Sequence, residues 1–130
     1  MSEKIKYQLE IEVKSSTKVL YNMISTPSGL SEWFSDDVNI KNDVFTFLWD
    51  GSEEEAKLLT KRKGESIKFQ WMEDFEEGEK TYFELLIKVD ELTNDVALII
   101  TDFADDEDER EEGELLWTNQ IETLKKTIGS

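Results

Sequence analysis

The sequence predicts an α+β domain: a curved antiparallel sheet of about six to seven strands, two short helices held against it, and one long C-terminal helix. Three observations carry this prediction. Apolar and polar residues alternate from the N-terminus to Val13, a capped helix and a second short helix flank a Thr-Pro break within 15–38, and an apolar stripe at helical spacing runs through the C-terminal segment. With 130 residues, the chain matches the size of one core, so 1–130 reads as a single domain.

Taken in order, residues 3–13 place Ile5, Tyr7, Leu9, Ile11 and Val13 opposite Lys4, Lys6, Gln8, Glu10 and Glu12, the period-2 pattern of a strand with one buried face. Ser15 or Ser16 can cap the next helix, whose stripe is Val19, Leu20, Met23 and Ile24. Thr26-Pro27 closes it and opens a second helix, because proline disfavours helical geometry before it yet suits the first helical position. Leu30, Trp33 and Phe34 then share a face. From Asp36 to Phe103 the pattern is strands and turns. Phe45, Phe47 and Trp49 alternate with Val44, Thr46 and Leu48, and Asp50-Gly51 follows as a turn. Residues 54–62 form a weaker strand before the Lys63-Gly64 turn; Ile67, Phe69 and Trp71 mark a clearer one; Glu76 to Glu79 turns around Gly78. Phe83, Leu85, Ile87 and Val89 share a face, and a turn at Leu92–Asp95 leads into Val96–Phe103. The acidic run 104–112 reads as a solvated loop whose end favours the positive N-terminus of the next helix. Trp117, Ile121, Leu124 and Ile128 are the buried stripe of that helix, about 15 residues long, with Lys125 and Lys126 in its last turn and Gly129 as its stop.

Composition excludes several chemistries. There is no cysteine and no histidine, so disulfides, thiolate nucleophiles and the commonest general base and metal ligand are absent. The 15 basic and 31 acidic residues give a net charge of −16. Such a surface repels nucleic-acid phosphates and anionic membranes. No apolar run is long enough for a membrane span and no signal-peptide core opens the chain, so a soluble cytoplasmic protein is expected. Asp106, Glu107, Asp108 and Glu109 lack the glycine and spacing of a calcium loop, and no metal or cofactor is expected. Lys61-Arg62-Lys63 reads as an exposed turn serving solubility.

Residues Ser16–Ile24 followed by Thr26-Pro-x-x-Leu-x-x-Trp-Phe resemble the N-terminal signature of START-like proteins, the helix-grip (SRPBCC) superfamily. Ile67-x-Phe69-x-Trp71 resembles a mid-sheet strand of its chaperone-ATPase activator branch, and Trp117-x-x-x-Ile121-x-x-Leu124 resembles that branch's C-terminal helix. The resemblance extends from about Ile5 to Ile128. It implies a helix-grip fold; relatives bind lipids, sterols or hormones, cyclise polyketides or assist a chaperone, and fold alone does not choose among these. The missing histidines and the acidic run depart from the wider family.

The expected ligand-binding residues are Trp33, Phe34, Phe45, Phe47, Trp49, Phe69, Trp71, Phe83 and Trp117, lining a cavity beneath the long helix. The competing expectation is that these rings pack on one another and leave little void. Tyr21, Gln70, Tyr82, Asp102 and Asn119 are candidate orienting groups. Asp102 continues the parity of Val96, Leu98 and Ile100, where burial would raise a carboxyl pKa, although such a residue can equally reach water at a strand end. Three functions follow: non-enzymatic binding of a small hydrophobic or lipid-like molecule, an acidic chaperone accessory with a protein partner, and, ranked last, an enzyme working through Asp102 or a tyrosine. No catalytic residue is assigned.

Overall fold

The computed structural model describes residues 4–129. The expected first strand began at residue 3, which lies outside them. The strands are β1 (Ile5–Glu12), β2 (Asp37–Lys41), β3 (Val44–Trp49), β4 (Ser52–Arg62), β5 (Ser66–Trp71), β6 (Phe83–Val89) and β7 (Val96–Ala104). The helices are α1 (Thr17–Ser25), α2 (Pro27–Trp33), α3 (Met72–Glu76) and α4 (Glu107–Ile128). All strand pairs are antiparallel, in the order β1-β7-β6-β5-β4-β3-β2. The N-terminal strand therefore lies beside the last one, with Tyr7 opposite Asp102. Register is set by burial, because a one-residue slip would turn Phe45, Phe47, Phe69 and Phe83 to solvent.

The α1–α2 corner is built from hydroxyl caps. Ser16 Oγ accepts from the Val19 N–H at 3.1 Å, and Thr26 Oγ1 accepts from the Gly29 N–H at 2.9 Å while donating to the Asn22 carbonyl at 2.8 Å. Gly29 is required by the close approach of the two helices: a Cβ there would lie 2.3 Å from the Asn22 carbonyl oxygen. Leu20, Met23 and Ile24 are buried as expected, but Val19 is 45% exposed. It sits at the edge of the stripe and looks outward over the end of β4.

The largest correction concerns the acidic run. It is not a loop: Asp106 is the N-cap of α4, its Oδ1 accepting from the Glu109 N–H at 2.8 Å, and Glu107 to Glu112 form the first helical turns. Carboxylates near a helix N-terminus are favoured by its unpaired N–H groups and partial positive charge. Arg110 ties the run together through Glu107 and Glu114, each at 2.8 Å. The helix is consequently 22 residues long. Two smaller differences are the short α3, which lies ahead of the turn expected at Glu76 to Glu79, and Val89, which is 44% exposed where β6 leaves the core. Among the described residues no helix is long and apolar enough to cross a membrane.

Candidate functional site: an open aromatic cleft with a carboxylate in its wall

Phe34, at the end of α2, is the centre of the interior. Its ring lies 5.0 Å from Phe47, 5.4 Å from Trp33 and Trp49, 5.5 Å from Trp117 and 6.0 Å from Phe83, centroid to centroid. Phe45, Phe69 and Phe83 extend the cluster, with Phe45–Phe69 at 4.9 Å and Phe69–Phe83 at 5.1 Å. These are the spacings at which rings gain from edge and offset contacts. Much of the space under α4 is thus filled by rings, as close packing demands.

An open cleft of about 320 Å³ remains between the sheet and α4, lined by Phe34, Trp49, Glu54, Trp71, Asp102, Leu116, Trp117 and Gln120. Of the nine expected residues, Phe34, Trp49, Trp71 and Trp117 meet at this cleft. Trp33, Phe45, Phe47, Phe69 and Phe83 are buried behind it and act as its floor and support. Trp49 and Trp71 are only part-buried, their rings 6.2 Å apart and inclined at 58°.

Hydrogen bonds fix the cleft walls. Trp49 Nε1 donates to the Phe34 carbonyl at 2.8 Å, and Gln120 Nε2 donates to the same oxygen at 3.1 Å. Behind them, Trp33 Nε1 donates to the Met23 carbonyl at 2.8 Å. Trp117 Nε1 donates to Asp102 Oδ2 at 2.8 Å, and the Phe103 N–H donates to Asp102 Oδ1 at 2.7 Å. Tyr7 Oη approaches Asp102 Oδ2 at 3.5 Å. Burial pushes the Asp102 carboxyl above the usual carboxylate range, against the opposing pull of the Trp117, Phe103 and Tyr7 hydrogen bonds. Burial, joined by the negative field of Asp102, also pushes the Tyr7 phenol well up. Gly113 of α4 makes room for this pair, since a Cβ there would lie 2.2 Å from Tyr7 Oη.

The other expected polar residues lie elsewhere. Gln70 is buried and donates to the Glu79 carbonyl at 2.8 Å. Tyr82 packs edge-on to Phe103 at 5.0 Å beneath Lys68, Asn119 is exposed, and Tyr21 borders a separate hollow beside α1. Gln120 was missed because it lies one position off the apolar stripe of α4. Glu54 was missed because the pattern of β4 is weak, and a register shift between Leu58 and Thr60 interrupts its pairing. Among the described residues no group of three or more acidic side chains converges to hold a metal ion.

The profile of the START-like superfamily domain matches residues 1–130. The solution structure of BfR322 from Bacteroides fragilis is 36% identical, covers 98% of this chain and 92% of its own, and superposes with a TM-score of 0.68. The Aha1 dimer of Colwellia psychrerythraea shares 17% identity over 95% of this chain and 96% of its own, with a TM-score of 0.78. DynU16, a protein of the dynemicin biosynthetic locus, shares 9% identity over 96% of this chain and 47% of its own, also with a TM-score of 0.78. No curated protein matches the chain. The last two likenesses concern the fold; the profile match and the 36% identity over nearly the full length carry the assignment, and the chain belongs to the START-like superfamily.

Proposed function

We propose that the protein is a non-enzymatic binding module that holds a small apolar molecule in the cleft between the sheet and α4. The observation that supports this most is the pairing of four aromatic walls with one part-buried carboxylate, Asp102, at a mouth that remains open. Ligand sites are typically apolar hollows with a few fixed polar groups, about 300–1,000 Å³ in size. At about 320 Å³ the cleft is matched to a molecule of one or two rings, or to the end of a longer chain, rather than to a whole lipid. A ligand hydroxyl or amine donating to Asp102 would be oriented by it, while the rings supply area-dependent affinity. Nothing in the arrangement activates a nucleophile: Asp102 is held by the Trp117 indole, the Phe103 peptide N–H and the more distant Tyr7 phenol, whose pKa burial pushes well up, and none of the three relays a proton near neutral pH.

The test is a titration of small aromatic alcohols and amines followed by tryptophan emission and by the Trp117 indole N–H resonance. Saturable binding is expected, with at least a tenfold loss in Trp71→Ala. Absence of any saturable response across the panel would overturn the reading. A second reading, a protein-binding accessory, is supported by Leu115 and Leu116, which are 63% and 59% exposed on the acidic face of α4. For that reading, Leu115→Ser would leave small-molecule titrations unchanged and abolish binding to a basic protein partner.

A further inference from the structure

A second hollow lies well away from the aromatic cleft, where the outer side of α1 meets the far end of β4 and the turn into β5. It is open, about 790 Å³, and its lining includes Val19, Tyr21 and Met23 from α1 with Lys18, Lys61 and Lys63 around them. Glu54 at the cleft and Lys61 here are seven residues apart on β4, which is about 23 Å along a strand.

Two features of this hollow converge. Its lining holds three ammonium groups and no carboxylate, in a chain with 31 acidic residues. None of these three lysines forms an ion pair among the described residues. Val19, a member of the α1 apolar stripe, is left uncovered at its edge.

From these features we infer that the hollow is a second binding site, for an amphipathic monoanion of the fatty-carboxylate type. The carboxylate lies among Lys18, Lys61 and Lys63, and the apolar chain covers Val19, Met23 and the Tyr21 ring. The inference does not rest on the aromatic cleft, since the two sites share no residue.

The experiment uses decanoate below its micellisation threshold, with decanol and acetate as matched probes, and follows the amide resonances of the full chain. Decanoate is expected to shift residues 18–26 and 61–65 saturably, acetate to do nothing, and decanol to bind at least fivefold more weakly. The double variant Lys61→Gln/Lys63→Gln should lose about fivefold in decanoate affinity, the scale of two solvent-screened charge contacts. Equal affinity for decanol and decanoate, shifts confined to the neighbourhood of Trp117, or no saturable shift would each overturn the inference. The Trp117 pattern would instead assign decanoate to the aromatic cleft, so failure here is distinguishable from failure there.

Discussion

At the scale of single residues, Asp102 and Gly113 show how much depends on small groups. The raised carboxyl of Asp102 has a definite thermodynamic sign. Its folded pKa lies above the unfolded value, so between those two values the native state holds the proton that the unfolded chain has released. Its contribution to stability therefore declines as pH rises through the folded pKa and is most favourable below the unfolded one. Asp102→Asn keeps an acceptor for the Trp117 indole and removes this titration. The stability of the variant relative to the parent should consequently be greatest near pH 7 and shrink towards pH 4, as read by urea denaturation across that range. Gly113 poses the opposite case. Alanine would improve helix propensity by about 1 kcal/mol, but its Cβ would press on Tyr7 Oη, a group held in the sheet beside Asp102. The steric term wins, so Gly113→Ala should destabilise. Adding Tyr7→Phe should recover part of that loss, giving a coupling energy of about 0.5–3 kcal/mol in a double-mutant cycle.

At the scale of elements, α4 and the α1–α2 corner carry the lessons. Asp106→Ala removes the cap of α4 and should cost about 0.5–2 kcal/mol, measurable by thermal melting with loss of amide-exchange protection confined to the first turns. The helical stripe Trp117, Ile121, Leu124 and the alternation in β1, β3, β5 and β6 were legible because burial follows period directly. The start of α4 was not. Its first turns bear no apolar residue to mark a period, and what makes them helical is the cap and the axial field, which composition alone renders as a charged loop. Similarly, α3 is too short for periodicity to appear, and β2 offers only Val38 to the core. The aromatic candidates of the cleft were legible as inward-facing residues. Which of them would touch a ligand was not, because that depends on how the rings share space once packed around Phe34.

At the scale of the whole molecule, fold and charge pull in different directions. Phe34→Ala would open a cavity at the hub of the ring cluster and should cost about 3–5 kcal/mol, a large share of the roughly 5–15 kcal/mol that holds an ordinary domain folded. The net charge of −16 opposes compaction through self-repulsion. Screening with salt should therefore raise the melting temperature by a few degrees between low ionic strength and about 0.5 M, where the Debye length falls well below 10 Å; a flat or falling response would show that repulsion among the acidic side chains does not limit stability. The indoles at the cleft have an optical consequence as well. Trp49 and Trp71 stand 6.2 Å apart with their planes inclined at 58°, so their electronic transitions couple as a chiral dimer. The protein should show an exciton couplet in circular dichroism that vanishes in Trp71→Phe, and any molecule wedged between the two chromophores would announce itself, without a label, by collapsing that signal.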